Sequence, residues 1–168
     1  MTFQEIKEIL QQAFPAIPFG EDREATPAAL VVDPAMLVEV CQWLKTNENT
    51  YFDMLSCLSG IDNGPDSGTM DVIYNLYSVP YDNSLMIKVS IDRQNPSIHS
   101  VAHIWKTANW HEREAFDLLG IYVEGHPDLR RILLPDDWQG FPLRKDYTEQ
   151  EKYHGITVAL GNQNDLSK

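Results

Sequence analysis

The segment His111-Glu112-Arg113-Glu114-Ala115-Phe116-Asp117 gathers an imidazole and three carboxylates within two helical turns. One carboxyl kept protonated by burial beside another that stays ionised is what general acid/base chemistry needs. A free-standing acid/base hydrolase is therefore one reading of the chain. Against it, Glu112 and Glu114 fall in the first turns of a predicted helix, where the macrodipole favours carboxylates, and Arg113 can pair with Asp117 one turn on.

Other constellations are weaker. His99 and His103 would suit a metal, but on a strand four residues span about 13 Å, too far for both to reach one ion. Asp62-Asn63-Gly64-Pro65-Asp66 starts like a calcium loop, yet Ser67 falls where the loop needs glycine and Ile73 where it needs a bidentate glutamate. Glu151-Lys152-Tyr153-His154 is one Glu-x-x-His element where a carboxylate-bridged pair of metals needs two. Cys41 and Cys57 form no CxxC pair and are expected to be buried thiols, with no zinc site or iron–sulfur cluster held by this chain. There is neither a glycine-rich phosphate loop nor a nucleophile elbow. The expectation is a chain with no metal or cofactor and no autonomous active site.

With 168 residues, 43% of them apolar, one domain with a substantial core is expected. Thirteen Lys plus Arg against 25 Asp plus Glu give a net charge of −12, which disfavours binding to nucleic acid or anionic lipid. No apolar run approaches the roughly 20 residues needed to span a bilayer, and the start lacks the pattern of a secretory signal, so a soluble, cytoplasmic chain is expected.

The elements that must position these residues follow from periodicity. Thr2 through Phe14 has capping-box spacing at Thr2 and Glu5, with Phe3, Ile6, Leu10 and Phe14 at helical intervals. Ala28 to Val32 is a candidate strand. Asp33-Pro34 supplies an N-cap and a first-position proline for a helix carrying Leu37, Val40, Cys41 and Leu44. Period two then predicts strands over Tyr51 to Leu58, Met70 to Tyr77, Ser84 to Asp92 and Ile98 to Trp105, with GIDNGPDSG as a turn. In the third, Leu85, Ile87, Val89 and Ile91 share one face. The short connections PYDN and RQNP favour antiparallel pairing. Asn109 and Glu112 have cap spacing for a helix through Leu119, with Gly120 as its stop. The expected architecture is an α+β domain over residues 1–123, a mostly antiparallel or mixed sheet flanked by helices, followed by an irregular arm over 124–168.

That arm carries the most specific signal. Glu112-Arg113-Glu114, Asp117, Gly120-Ile121, then GHPDLRRIL from Gly125, PDDW from Pro135 and PLRKDY from Pro142 to Tyr147 follow one another in close order. This run resembles the family of the thirty-kilodalton subunit, also called the C subunit, of the proton-pumping NADH:quinone oxidoreductases, respiratory complex I. Phe141 stands where many members carry His, and Thr148 where proline is common. The resemblance implies a cofactor-free structural core subunit of the peripheral arm, docked on the large D subunit that shapes the quinone cavity, beside the cluster-bearing subunits. FMN, iron–sulfur clusters and quinone would belong to the rest of the complex, peripheral on the cytoplasmic side of the bacterial inner membrane. No fusion to the D subunit is expected. A homologous subunit of a membrane-bound hydrogenase, formate hydrogenlyase or ferredoxin-linked dehydrogenase is the alternative, since these share the module.

The physics of the arm fits docking. It has too many breakers for a long helix, and its charges are expected to find partners outside its own domain. Four of the chain's six arginines lie between Arg113 and Arg144, and Arg suits bidentate pairing and stacking at interfaces. The expected interface comprises Glu112, Arg113, Glu114 and Asp117 on the helix, and His126, Asp128, Arg130 and Arg131 beyond it. Asp136, Asp137, Trp138 and Phe141 continue it, with Trp138 and Phe141 as apolar anchors, and Arg144, Lys145, Asp146 and Tyr147 close it. Residues from Gly140 to Lys168 are expected to be mobile until a partner orders them.

Overall fold

The structure is a computed structural model and describes residues 1–157. Helix α1 covers Phe3–Ala13 and starts in the expected capping box: Thr2 Oγ1 accepts from Glu5 N while Glu5 Oε2 accepts from Thr2 N. Strands β1 (Gly20–Asp22) and β2 (Ala29–Val31) follow, then a 3-10 turn over Pro34–Met36 and α2 over Leu37–Thr46. Asp33 caps the 3-10 turn rather than α2, accepting from Ala35 N at 2.8 Å.

Three long strands come next, β3 (Met54–Asp62), β4 (Thr69–Ser78) and β5 (Asn83–Asp92). They join β1 and β2 in one five-stranded sheet of order β1-β2-β5-β4-β3. β2 runs parallel to β5 and the other neighbours are antiparallel, so the sheet is mixed. Leu85, Ile87, Val89 and Ile91 are buried as the alternation requires, and they share one core with Ile6 and Leu10 of α1 and Val40, Cys41 and Leu44 of α2. Met86, Lys88 and Ser90 point to the other face, where Lys88 Nζ lies between Asp22 (2.9 Å) and Asp71 (3.2 Å).

The edge strand β3 begins later and runs further than the sequence predicts. Tyr51 sits in a turn with φ 38°, and Gly60 to Asp62, read as turn, continue the strand. A register shift between Leu55 and Cys57 interrupts the simple alternation there. The predicted strand Ile98 to Trp105 is cut to β6 (Ser97–His99). Its buried residues Ile98, Val101, Ile104 and Trp105 recur mainly at intervals of three, and Val101 O accepts from both Ile104 N and Trp105 N, so the chain turns instead of extending. His103 is therefore not on a strand, and the premise of the strand-distance argument fails. Among the described residues no group of three or more His, Cys, Asp or Glu could hold a metal.

Helix α3 covers Ala108–Leu119 and β7 covers Tyr122–Glu124, which pairs parallel with β6 in a separate two-stranded sheet, so the short RQNP connection does not join antiparallel neighbours as expected but leads out of the five-stranded sheet. α3 packs on β3 so closely that a Cβ at Gly60 would lie 2.5 Å from Leu119 Cδ1. Two two-residue strands, β8 (Lys152–Tyr153) and β9 (Ile156–Thr157), lie in the arm. Of the two thiols, Cys41 is buried and Cys57 only half-buried. Among the described residues, no helix is long and apolar enough to cross a membrane.

Candidate docking surface

The acidic segment of α3 sends its side chains to four different places. His111 Nδ1 accepts from Leu58 N at 3.2 Å on the free edge of β3. Glu112, 2% exposed, turns inward and accepts from Ser100 Oγ at 2.6 Å and Val101 N at 2.7 Å, so it is no partner of Asn109 in a cap. Glu114 is exposed. Asp117 is buried under the arm. An acid/base pair does not converge here, because successive helical positions point about 100° apart and each meets a different neighbour.

Asp117 is the hub of the arm. Its Oδ2 accepts from three successive backbone amides, Ile132 (3.0 Å), Leu133 (2.7 Å) and Leu134 (3.0 Å), a nest of N–H groups that suits an anion. Its Oδ1 takes Arg131 Nη1 at 2.8 Å. Burial opposes the charge, but the three amides and the guanidinium outweigh it and hold the carboxyl below its ordinary value. Arg113 does not form the expected pair with Asp117. It donates instead to the carbonyls of Arg130 (3.1 Å) and Arg131 (3.4 Å) and lies over the Trp110 ring.

Arg131 goes on to the carbonyls of Trp138 (3.3 Å) and Gly140 (3.4 Å). The guanidinium groups of Arg131 and Arg144 both lie over the Phe141 ring, at 5.5 and 4.8 Å from its centroid. It lies against Gly120, where a Cβ would come within 2.5 Å of the ring. Arg144 Nε caps the end of α3 through Leu119 O at 2.7 Å. Trp138 Nε1 donates to Tyr147 Oη at 3.2 Å, and Asp137 accepts from Tyr153 Oη and meets His154. Lys145 N donates to Asp62 at 2.8 Å, and Asp146 meets Arg93 at 2.5 Å.

His126 reaches back to α3. Its side chain is fully buried, with Nε2 3.1 Å from Asn109 O and Nδ1 accepting from Asp128 N, so these partners select the tautomer with the proton on Nε2. Glu112 Oε2 is 3.8 Å away. Burial raises the Glu112 carboxyl above its ordinary value, against the Ser100 hydroxyl and the Val101 amide, which favour the anion.

These contacts correct the expectation that the arm's charges look for partners outside the chain. Glu112, Arg113, Asp117, His126, Arg131 and Arg144 are tied to the chain itself, and the amides of residues 143, 144, 145 and 147 are bonded within it. The segment from Gly140 is thus bonded to the core and to itself over its described part, and residues 158–168 lie outside the described residues. Glu114, Arg130, Asp136 and Lys145 remain exposed. Trp110, Leu133 and Leu143, which the motif does not single out as anchors, are exposed to 63%, 61% and 57%. Large apolar side chains held outward on a well-bonded frame are what a docking surface displays. The sequence does hold a signal for Trp110, because it falls off the buried stripe Ala108, Ala115 and Leu119 of its own helix.

The model of the family "Respiratory-chain NADH dehydrogenase, 30 Kd subunit" matches residues 30–153. The chain is 52% identical over 117 residues to the C subunit of NADH-quinone oxidoreductase from Chloroherpeton thalassium, covering 69% of this chain and 48% of that protein. It is 44% identical over 144 residues to the protein of the same description from Chlorobium phaeobacteroides, covering 85% and 86%. The chain thus spans about half the length of the first relative and most of the second. Among solved structures, the trypsin-resistant fragment (1-134) of Nqo5 superimposes with a TM-score of 0.57 at 25% identity, over 74% of this chain and 98% of that one. A chain of the membrane-bound sulfane sulfur reductase, an archaeal respiratory membrane complex, shares the fold with a TM-score of 0.67 at 22% identity, over 84% and 85%.

Proposed function

We propose, since this chain belongs to the family of the respiratory-chain NADH dehydrogenase 30 Kd subunit, that it is a cofactor-free structural core subunit of the peripheral arm of a proton-pumping NADH:quinone oxidoreductase. It docks on the large D subunit, which shapes the quinone cavity, and keeps the cluster-bearing subunits in register for electron transfer from NADH to quinone. FMN, the iron–sulfur clusters and quinone are held by the other subunits. The chain sits peripherally, on the cytoplasmic side of the inner membrane, through the complex alone.

The observation that carries this reading is the family match over residues 30–153, which takes in β3 to β5 of the sheet and the arm through Tyr153. The geometry supports a division of labour within the expected interface. Asp117, Arg131 and Arg144 build the frame, while Trp110, Leu133 and Leu143 with Glu114, Arg130 and Lys145 face the partner. Exposed aromatic and apolar anchors ringed by charge are where binding energy concentrates.

Affinity purification of the tagged chain from detergent-solubilised membranes, with mass spectrometry of the co-purifying proteins, tests the reading. The large quinone-cavity subunit and NADH-oxidising flavoprotein subunits are expected. A nickel-binding large subunit in their place would assign the chain to a hydrogenase, and recovery of the chain alone would overturn docking altogether.

A further inference from the structure

The far end of the arm is fastened by a residue that lies well outside the arm's own motif. Arg93, the first residue beyond β5, is 9% exposed. Its Nε and Nη2 fork the two carboxylate oxygens of Asp62 at 2.7 and 3.0 Å, and Nη2 also reaches Asp146 Oδ1 at 2.5 Å. Asp62, at the end of β3, accepts in addition from Lys145 N at 2.8 Å and Gly64 N at 3.0 Å. One guanidinium thus joins the ends of two core strands to the arm.

The two halves of this clasp differ. The Asp62 side chain is 1% exposed, whereas that of Asp146 is 51% exposed. The inner half is a planar, bidentate pair whose geometry is fixed by the fork. The outer half can open to water without stranding a buried charge. The arm from Leu143 to Tyr147 has few other ties to the core: Leu143 N to Leu118 O, Arg144 Nε to Leu119 O and, at 3.5 Å, Lys145 Nζ to Asn63 O, the remainder being bonds within the arm.

We propose that Arg93 is a positioning residue of the docking arm. Through Asp62 and Asp146 it holds residues 143–147 in one place against the strand ends, so that the docking surface meets its partner already formed. The inference rests on the docking reading above. A segment that is ordered before it binds forgoes the ordering cost at the encounter.

Amide hydrogen exchange on the full chain, together with the yield of assembled complex, tests this. Asp146→Asn keeps the buried Asp62–Arg93 pair. It is expected to speed exchange of the Lys145 amide about tenfold while amides of β4, β5 and Ile132 to Leu134 stay within about twofold. Arg93→Gln should loosen the arm further, Arg93→Lys should fall between because it keeps the charge without the fork, and assembly should fall in the same order. Unchanged Lys145 exchange in Asp146→Asn, or an equal rise across β4 and β5, would overturn the clasp. A loosened arm with full assembly would overturn its positioning role. A wild-type chain that recovers none of the complex's subunits would overturn it through the reading on which it rests.

Discussion

Asp117 shows how one side chain can matter more than its charge suggests. It answers three backbone amides and a guanidinium at once. Asp117→Ala strands all of them and is expected to cost about 3 to 5 kcal/mol of unfolding free energy. Arg131→Ala leaves the carboxylate with its three amides and should cost less, about 1 to 3 kcal/mol. Urea denaturation of the isolated chain checks the order, and a larger loss for Arg131→Ala would refute the hub. Glu112 behaves in the opposite sense to Asp117 with pH. Its raised carboxyl makes the folded chain bind more protons than the unfolded one between the two values, so its contribution is whole below about 4.3 and is lost as pH rises through the folded value. Glu112→Gln should therefore gain on wild type as pH rises from about 4 to 7. Melting temperatures across that range would show it, and a constant offset would contradict it. Asp62 and Asp117, both held low, contribute stability that is whole above about 3.9 and lost below it.

At the scale of elements, legibility in the sequence follows the range of the interaction that decides each one. The capping box of α1, the alternation of β5 and the Gly120 stop of α3 are set within a few residues, and all three stand in the fold. Period two misplaces the ends of β3 and β6 because Tyr51 turns the chain before β3, Gly60 to Asp62 extend it despite their turn-like composition, and a turn of spacing three cuts β6 short. The arm is legible as a motif and opaque as a structure. Its decisive bonds join Arg131 to Asp117 and Lys145 to Asp62, 14 and 83 residues apart, and no local period announces such a pair. Gly120 allows this seam to be tested. It has φ 74° and faces the Phe141 ring, whereas Gly125 has φ 76° and nothing within 4 Å of a Cβ. Alanine at either costs about 1 kcal/mol for the left-handed backbone. Gly120→Ala must also displace Phe141 and should lose clearly more, measured as the difference in unfolding free energy between the two variants. Equal losses would show that Phe141 yields freely.

For the molecule as a whole, the sheet and its helices bury one core and leave the arm lying over α3 and the ends of β3 and β5. The candidate interface is legible as a stretch of chain, yet its working parts are exchanged. Arg131 and Arg144, expected to wait for a partner, are spent on the frame, and Trp110, Leu133 and Leu143, outside the expected set, are what the frame displays. The expected and the displayed residues differ because charges stand out in a breaker-rich stretch, although their intrachain partners do not, whereas an exposed leucine there looks like any other. A binding measurement with the large quinone-cavity subunit addresses the docking claim most directly, using the double variant Trp110→Ala/Leu133→Ser. The melting temperature of the free chain should stay within a few degrees of wild type, because both side chains are largely in water. The dissociation constant should rise at least about thirtyfold, the equivalent of about 2 kcal/mol for an anchor pair. Unchanged affinity in a variant that melts normally would contradict docking through this surface.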